Sequence, residues 1–185
     1  MSAARQHLVE LLAQRSARRG TFTLASGKQS SFYIDARLTT MSPEGLSTIG
    51  PVALAMMRER GWHADSVGGL TLGADPISYA ISYASAFDAP AIRAFTVRKE
   101  AKDHGTGKLI EGPFAASDQV VVIEDVITTG GSALRAIEAV RAAGARVIGV
   151  LAVVDREEGG RDAIEVLGIS VASIARVSEI LALVP

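Results

Sequence analysis

The sequence predicts an α/β fold in which a central, mostly parallel sheet carries helices on both faces. Two apolar runs, 120–123 and 146–154, are rich in Val and Ile and lack the polar alternation of a half-exposed strand. Segments with helical spacing of apolar residues separate the strand-like runs, and this alternation is typical of parallel sheets. The length, 185 residues, is that of one domain, and we expect a single domain over 1–185.

The N-terminal third begins with a helix and a hairpin. Apolar positions at helical spacing predict a helix over 3–18, and two strand-like pieces at 21–25 and 32–36 flank a turn of small and polar residues. A second helix is expected over 42–60, because a Ser-Pro pair is typical of a helix start and a glycine follows the end.

After this region the chain alternates between strands and helices. The patterns predict strands at 66–70, 91–97, 120–123, 146–154 and 170–175, and helices at 75–87, 132–143 and 162–167. In sheets of this kind ligands bind beyond the C-terminal ends of the strands. We therefore expect a functional site in the loops that follow them.

The composition excludes several classes of protein. With 48% hydrophobic residues and a net charge of −1, the chain resembles a soluble globular protein and lacks the basic balance of a nucleic-acid-binding domain. The absence of cysteine excludes disulfides, thiolate metal sites and cysteine nucleophiles. The N-terminus lacks a secretory signal pattern, and no apolar run has the length of a membrane span. The expectation is a cytoplasmic protein without nucleic-acid or membrane partners.

The most informative pattern runs from Val120 to Ser132. Two adjacent acids, Glu124 and Asp125, follow the buried run, and the Thr- and Gly-rich loop 128–132 leads into the next helix. Backbone N–H groups and the dipole at a helix N-terminus favour a phosphate, and glycine lets the backbone approach it closely. The arrangement suits a sugar phosphate; the alternative is an ordinary strand-to-helix turn. It matches neither GxxxxGK[ST] nor GxGxxG.

A polar segment at 98–108 is the second informative region. It has no periodic apolar positions, and it contains Lys99, Lys102 and Lys108, three of the four lysines in the chain. Charge runs are usually solvated surfaces. A cationic, glycine-containing loop can also be a lid that closes over an anionic ligand.

Two more loops leave alternatives open. The glycine-rich turn 68–76 is either a second anion loop, suited to pyrophosphate, or a turn that needs glycine for its geometry. Arg156 follows the run 146–154, and the non-functional interpretation of this segment is a solvated loop. The functional one places Arg156 at the same sheet edge as Glu124 and Asp125, where its planar fork could bind a carboxylate.

Together these segments resemble the orotate phosphoribosyltransferases. VVVIEDVITTGGS is similar to the 5-phosphoribosyl-1-diphosphate (PRPP) motif of type I phosphoribosyltransferases. The resemblance extends over FTLASGKQSSFYIDAR at 22–37, GGLTLGADPI at 68–77, RKEAKDHGTGKLIEG at 98–112 and VVDREEGG at 153–160. The last two are more particular to the orotate enzymes. The resemblance implies the type I phosphoribosyltransferase fold with a small N-terminal hood.

It also implies a role for each matching residue. Glu124 and Asp125 would hold the ribose hydroxyls, with Asp125 and Lys102 as catalytic residues. The pyrophosphate would contact Arg98, Lys99, Lys102 and His104. The 5′-phosphate would lie in the loop formed by Val126, Ile127, Thr128, Thr129, Gly130, Gly131 and Ser132. Orotate would contact Thr128 and, through its carboxylate, Arg156.

The implied reaction makes orotidine 5′-monophosphate and pyrophosphate from orotate and PRPP. Mg²⁺ would be held mainly through PRPP, without direct protein ligands. The resemblance implies a homodimer in which the loop 98–108 reaches the partner's site. The chain departs from some bacterial members at Ala25, where they have a lysine, and at Leu72-Gly73, where they have Tyr-Lys, and those lysine contacts are not transferred to Lys28. The alternatives are a phosphoribosyltransferase for another base and a non-catalytic PRPP-sensing regulator.

Overall fold

A computed structural model describes residues 2–23, 27, 29–88, 90–100 and 108–185. The chain begins with helix α1 (Ala3–Leu11), which continues as the π-helical turn Leu12–Ser16. An antiparallel hairpin follows, made of β1 (Ala17–Thr23) and β2 (Gln29–Ile34). The predicted helix over 3–18 is therefore too long. Its last residues pair with β2 because strand pairing satisfies their backbone groups in place of helical bonds.

Two helices connect the hairpin to the sheet. The short helix α2 (Arg37–Thr40) was not predicted, since four residues carry no periodic signal. Helix α3 (Pro43–Glu59) confirms the helix expected over 42–60. The Ser42 hydroxyl accepts a hydrogen bond from the Gly45 N–H at 3.1 Å and so caps its first turn.

The main sheet has six strands. In chain order these are β3 (Ser66–Leu70), β4 (Arg93–Val97), β5 (Ile110–Glu111), β6 (Gln119–Ile127), β7 (Arg146–Asp155) and β8 (Val171–Arg176), and their spatial order is β5-β4-β3-β6-β7-β8. The short strand β5, which was not predicted, is antiparallel to β4, and every other neighbouring pair is parallel. The prediction of a mostly parallel sheet is confirmed.

Helices cover both faces of this sheet. The remaining helices are α4 (Ala74–Ser85), α5 (Gly131–Ala142), α6 (Gly160–Glu165) and α7 (Val177–Leu181), of which α7 was not predicted. Residues of α1, α3, α4 and α7 share one hydrophobic core with one sheet face, while α5 and α6 share a second core with the other. Strand β6 supplies Val121 and Ile123 to the first core and Val120 and Val122 to the second, which explains its unbroken apolar run.

Strand β6 is longer than predicted. It continues past Ile123 to Ile127, which pairs with Asp155 of β7, so Glu124 and Asp125 lie inside the strand instead of after it. Consecutive strand residues point to opposite faces, so the two acids have different surroundings.

None of the helices in the described part of the chain is both long and apolar enough to cross a membrane.

Candidate active site

A cavity of about 340 Å³ lies at the C-terminal ends of β3 and β6, beneath the hairpin. Of the residues that the sequence singled out, it is lined by Lys99, Glu124, Asp125, Val126, Thr128, Ser132 and Arg156. It is also lined by Tyr33, Ile34, Asp35, Ala36 and Arg37, which were not singled out. Four further lining residues, Leu70, Thr71, Leu72 and Gly73, belong to the glycine-rich turn 68–76, for which an anion loop was one of the two alternatives. The residues that were not singled out lie in the segment 22–37, where the resemblance was the available signal.

The other predicted site residues lie near the cavity or outside the described residues. Arg98 forms an ion pair with Glu111 at 3.6 Å, and its backbone N–H donates to the Leu109 carbonyl at 2.8 Å. The side chain of Ile127 is buried in the core, so it could meet a ligand through its backbone. Thr129, Gly130 and Gly131 belong to the loop without lining the cavity. Lys102 and His104 lie outside the described residues, as do Ala25 and Lys28.

Glu124 is almost fully buried, with 6% of its surface exposed. Burial first, and then the hydrogen bond and charge of the neighbouring Asp125, raise the pKa of Glu124 to about 9. The Glu124 carboxyl therefore keeps its proton at neutral pH in the ligand-free protein. The sequence had suggested two carboxylates here; one of them is a neutral acid that can donate a hydrogen bond.

Asp125 faces the glycine-rich turn that precedes α4. A Cβ atom placed on Gly73 would lie 2.6 Å from the carboxyl atoms of Asp125, so a larger residue there would displace this acid. At the departure Leu72-Gly73, a lysine on the present backbone would therefore displace the Asp125 carboxyl group. The Asp125 Oδ1 atom also accepts the Val126 N–H at 2.8 Å.

Asp75 stabilises the turn 71–73 through hydrogen bonds. Its carboxylate accepts hydrogen bonds from the hydroxyls of Thr71 at 2.7 Å and Thr96 at 2.8 Å. Because the single Thr96 proton is used in this way, the Tyr79 hydroxyl must donate to Thr96 across their 3.0 Å separation. The network connects the cavity wall at Thr71 to β4 and to the outer side of α4.

The loop 128–132 forms the N-terminus of α5. Its N-cap residue, Gly130, has left-handed backbone angles, and no described side chain caps the helix. The first-turn N–H groups are therefore available to an anion. Backbone bonds join this loop to the one after β7, since the Gly160 N–H donates to the Thr128 carbonyl and the Arg156 N–H to the Ile127 carbonyl, both at 2.9 Å.

We expect Gly160→Ala to disrupt this junction. An added Cβ would lie 2.4 Å from the Thr128 carbonyl oxygen and 2.6 Å from the Gly130 nitrogen, so the backbone of the anion loop would have to move. The melting temperature should fall, with a loss of about 1–3 kcal/mol typical of overpacking. Gly131→Ala is the matched control, because nothing described lies within 4 Å of its added Cβ. Equal melting temperatures for the two variants would contradict the prediction.

Arg156 is buried beside the cavity, with 7% exposure. Its guanidinium stacks 4.8 Å from the ring centroid of Phe32 in β2, and Nε donates to Glu158 Oε1 at 3.0 Å. Nη2 lies 2.7 Å from the same oxygen but is not aligned for a hydrogen bond to it or to another described acceptor. The Arg156 side chain is thus fixed in place, while its Nη2 atom has no hydrogen-bond acceptor among the described residues.

Two cationic side chains complete the rim. Lys99 lines the cavity, and its backbone carbonyl accepts a hydrogen bond from Arg135 of α5 at 2.8 Å. Arg37 binds both carboxylate oxygens of Asp35, at 2.8 and 2.9 Å, and this hydrogen-bonded pairing holds the pKa of Asp35 below its ordinary value. The cavity therefore combines acids, cations and an open helix N-terminus.

Comparison with known proteins assigns the family. Residues 74–174 match the phosphoribosyl transferase domain family. The orotate phosphoribosyltransferase of Aquifex aeolicus is 48% identical over 96% of this chain and 97% of its own length. The structure of Mycobacterium tuberculosis H37Rv orotate phosphoribosyltransferase in complex with PRPP is 38% identical, covers 96% of this chain and 98% of its own, and superposes with a TM-score of 0.82. The same enzyme in complex with Fe(III) dicitrate is 40% identical over the same shares, with a TM-score of 0.85. The chain belongs to the orotate phosphoribosyltransferase family.

Proposed function

We propose that this protein transfers the 5-phosphoribosyl group of PRPP to N1 of orotate, giving orotidine 5′-monophosphate and pyrophosphate for pyrimidine synthesis. The observation that carries the proposal is the content of one cavity: two acids on β6, an uncapped helix N-terminus and a buried arginine. These groups match the hydroxyls, the 5′-phosphate and the base carboxylate of the two substrates. Family membership supports the same activity.

In the proposed mechanism the bond between the anomeric carbon and the diphosphate oxygen breaks as the bond to orotate N1 forms, and N1 loses its proton. The ribose becomes cation-like in the transition state, so negative charge beside it is favourable. Asp125 and Glu124 would contact the ribose hydroxyls, and loop 126–132 would hold the 5′-phosphate. Arg98, Lys99, Lys102 and His104 would surround the pyrophosphate, and the turn 71–73 supports a second anion site next to them.

Mg²⁺ is the metal that we propose for this reaction. The described residues contain no group of three or more His, Cys, Asp or Glu side chains that could hold a metal ion, so oxygen atoms of PRPP would supply most of its ligands. The carboxyl oxygens of Asp125 would provide hard oxygen chemistry that suits this ion at the same cavity. Bound Mg²⁺ would help to neutralise the charge on the departing diphosphate.

Lys102→Ala should lower kcat strongly while the fold survives. Removing one preorganised cation from a leaving group costs ~3 kcal/mol, about a hundredfold in rate. Lys108→Ala is the matched control, because this exposed lysine ends the same segment outside the proposed contacts. A near-normal kcat for Lys102→Ala would remove this residue from the mechanism.

We also propose a homodimer that uses the outer side of α4. Tyr79, Tyr83 and Phe87 recur every four residues and are 53%, 70% and 76% exposed, so they form an apolar stripe. The stripe lies beside β4, whose last residue, Val97, directly precedes the cationic segment 98–108. A second copy bound there would place each segment close to the neighbouring site, and a symmetric pair of stripes suits a twofold interface.

Mixing two inactive variants tests the shared site. Lys102→Ala and Asp125→Ala chains, unfolded and refolded together, should regain roughly a quarter of wild-type activity, since half of the dimers would contain one intact site. Each variant refolded alone is the control. No recovery in mixtures whose sedimentation shows dimers would mean that the segment acts within its own subunit.

The activity itself is tested by following orotate consumption by absorbance with PRPP and Mg²⁺. Uracil and adenine replace orotate in parallel reactions. Activity with orotate alone supports the proposal, activity with another base identifies the wrong substrate, and none at all favours a PRPP-sensing role. We further propose a single domain over 1–185 and a cytoplasmic location, which limited proteolysis and cell fractionation would examine.

A further inference from the structure

A second cavity, of about 440 Å³, lies beside the edge strand β8. Four guanidinium groups converge on it from separate elements: Arg5 from α1, Arg60 after α3, Arg161 from α6 and Arg176 at the end of β8. Glu179 is the one carboxylate among its described lining residues. A chain with net charge −1 thus concentrates positive charge at this point.

Two of the arginines are engaged in the fold. Arg5 donates to both carboxylate oxygens of Glu179 at 2.8 Å. Arg161 donates to Asp155 at 3.1 Å, to the Val171 carbonyl at 2.7 Å and to the Ser173 hydroxyl oxygen at 3.2 Å. These bonds fix one wall of the cavity.

The other two arginines keep their donors available. The Arg60 guanidinium lies 5.5 Å from the Trp62 ring centroid, and within the described parts of the chain neither Arg60 nor Arg176 donates a side-chain hydrogen bond to a protein acceptor. The Ser173 oxygen accepts from Arg161, which leaves its own proton free to be donated. Carboxylates lie beside these arginines, because Arg176 helps to lower the pKa of Glu179 and Arg161 pairs with Asp155 at 3.1 Å and Glu165 at 3.5 Å. The cavity therefore presents two arginine side chains without hydrogen-bonded acceptors, a hydroxyl donor and four guanidinium groups against three carboxylates.

We propose that this cavity binds a phosphate group, either of inorganic phosphate or of a nucleotide. Arginine forks match the tetrahedral oxygens of phosphate through paired hydrogen bonds, and an anion would relieve the repulsion among the guanidinium groups. The site is distinct from the active site because the two cavities share no lining residue. It also lies at the opposite edge of the sheet from β4 and α4.

The wall of this cavity also supports the loop that carries Arg156. Asp155, held by Arg161, accepts the Glu157 N–H at 2.8 Å, and the Glu157 carboxylate accepts the N–H of Ser178, a lining residue, at 3.0 Å. Glu157 has a positive φ of 59°, a conformation that such contacts help to maintain. A bound phosphate that attracts Arg161 or Ser178 would therefore shift Arg156 and change the affinity for orotate.

The test compares two charge-matched variants. Arg60→Gln/Arg176→Gln removes the available forks, and Arg141→Gln/Arg146→Gln removes two exposed arginines outside the cavity. Calorimetric titration with inorganic phosphate should detect, in the wild type and the control, a binding event that weakens about tenfold or more in the cavity variant, as expected for lost bonds to charged groups. Crystals soaked with tungstate should show the metal between Arg60 and Arg176.

Two outcomes would overturn the proposed phosphate site. Equal phosphate affinity in both variants would mean that the arginines only shield the edge strand from pairing with other chains. Tungstate density without a difference in solution would mean an adventitious ion only. Uridine 5′-monophosphate as a second titrant separates the sources, because binding tighter than that of phosphate which is lost in the cavity variant would show that the nucleoside also occupies this cavity.

A kinetic readout tests the coupling to the active site. At saturating PRPP and constant ionic strength, phosphate should change the orotate KM of the wild type and the charge-matched control but not that of the cavity variant. This part rests on the proposed function, whereas calorimetry does not depend on activity. Phosphate binding without any change in the orotate KM would support the phosphate site but contradict its coupling to the active site.

Discussion

At alkaline pH the Glu124→Gln variant is expected to be more stable than the wild-type protein. Glu124 has an ordinary pKa of 4.5, and burial raises it to about 9 in the folded protein. Between these values the folded state binds the proton that the unfolded state has released, so wild-type stability falls as pH rises. Glutamine carries no proton to lose and therefore avoids this decline.

The shift from 4.5 to about 9 limits the pH-dependent loss of unfolding free energy in the wild type to about 6 kcal/mol, because each pKa unit is equivalent to about 1.4 kcal/mol. Urea unfolding at about pH 5 and about pH 9 measures it: the two proteins should have similar stability at the lower pH and diverge at the higher one. Glu138→Gln on the exposed side of α5 is the control and should not diverge. A pH-independent difference would mean that Glu124 ionises normally in the folded protein.

Arg156→Ala is expected to raise the orotate KM by about a hundredfold, since an unpaired buried charge costs ~3 kcal/mol or more. The KM for PRPP should change little, because the acids and the anion loop remain. Arg156→Lys should restore part of the affinity, because it keeps the charge but loses the planar fork that stacks on Phe32.

The decisive measurement is the ratio of kcat/KM for orotate to that for uracil, which lacks the carboxylate. Arg156→Ala should lower this ratio, whereas a variant that only disturbs the loop would lower both values together. Glu158→Gln is a matched control, because it weakens the partner of Arg156 but retains the guanidinium. An unchanged ratio would place the carboxylate elsewhere.

Local patterns were sufficient for most of the fold. Strand β3 was predicted with its observed bounds, and β7 and α5 to within one residue, because runs of Val and Ile and helical periodicity are properties of neighbouring residues. The errors arose where residues distant in the chain determine the ends of a helix or strand. Ala17 joins β1 because Ile34 pairs with it, and β6 continues through Glu124 because β7 continues alongside it.

The residues of the candidate site were also only partly predictable from the sequence. The acids, the anion loop and Arg156 could be identified from the sequence, since each lies in a distinctive string of residues. Tyr33 and Arg37 were missed as individual residues, because they reach the cavity from a segment that has no chemical pattern of its own. Thr71 lies in the turn 68–76, which the sequence left open as an anion loop or a turn that needs glycine. The place of Lys102 and His104 stays a prediction.

The sequence by itself determined the strand and helix order, the family resemblance and the identity of the acidic and cationic residues, all of which depend on residue types and spacing. The tertiary structure alone decided that Glu124 keeps its proton, that a side chain at Gly73 would displace Asp125, and that four arginines meet near β8. Burial and distances between residues far apart in the chain control these properties, and neither exists before the chain has folded.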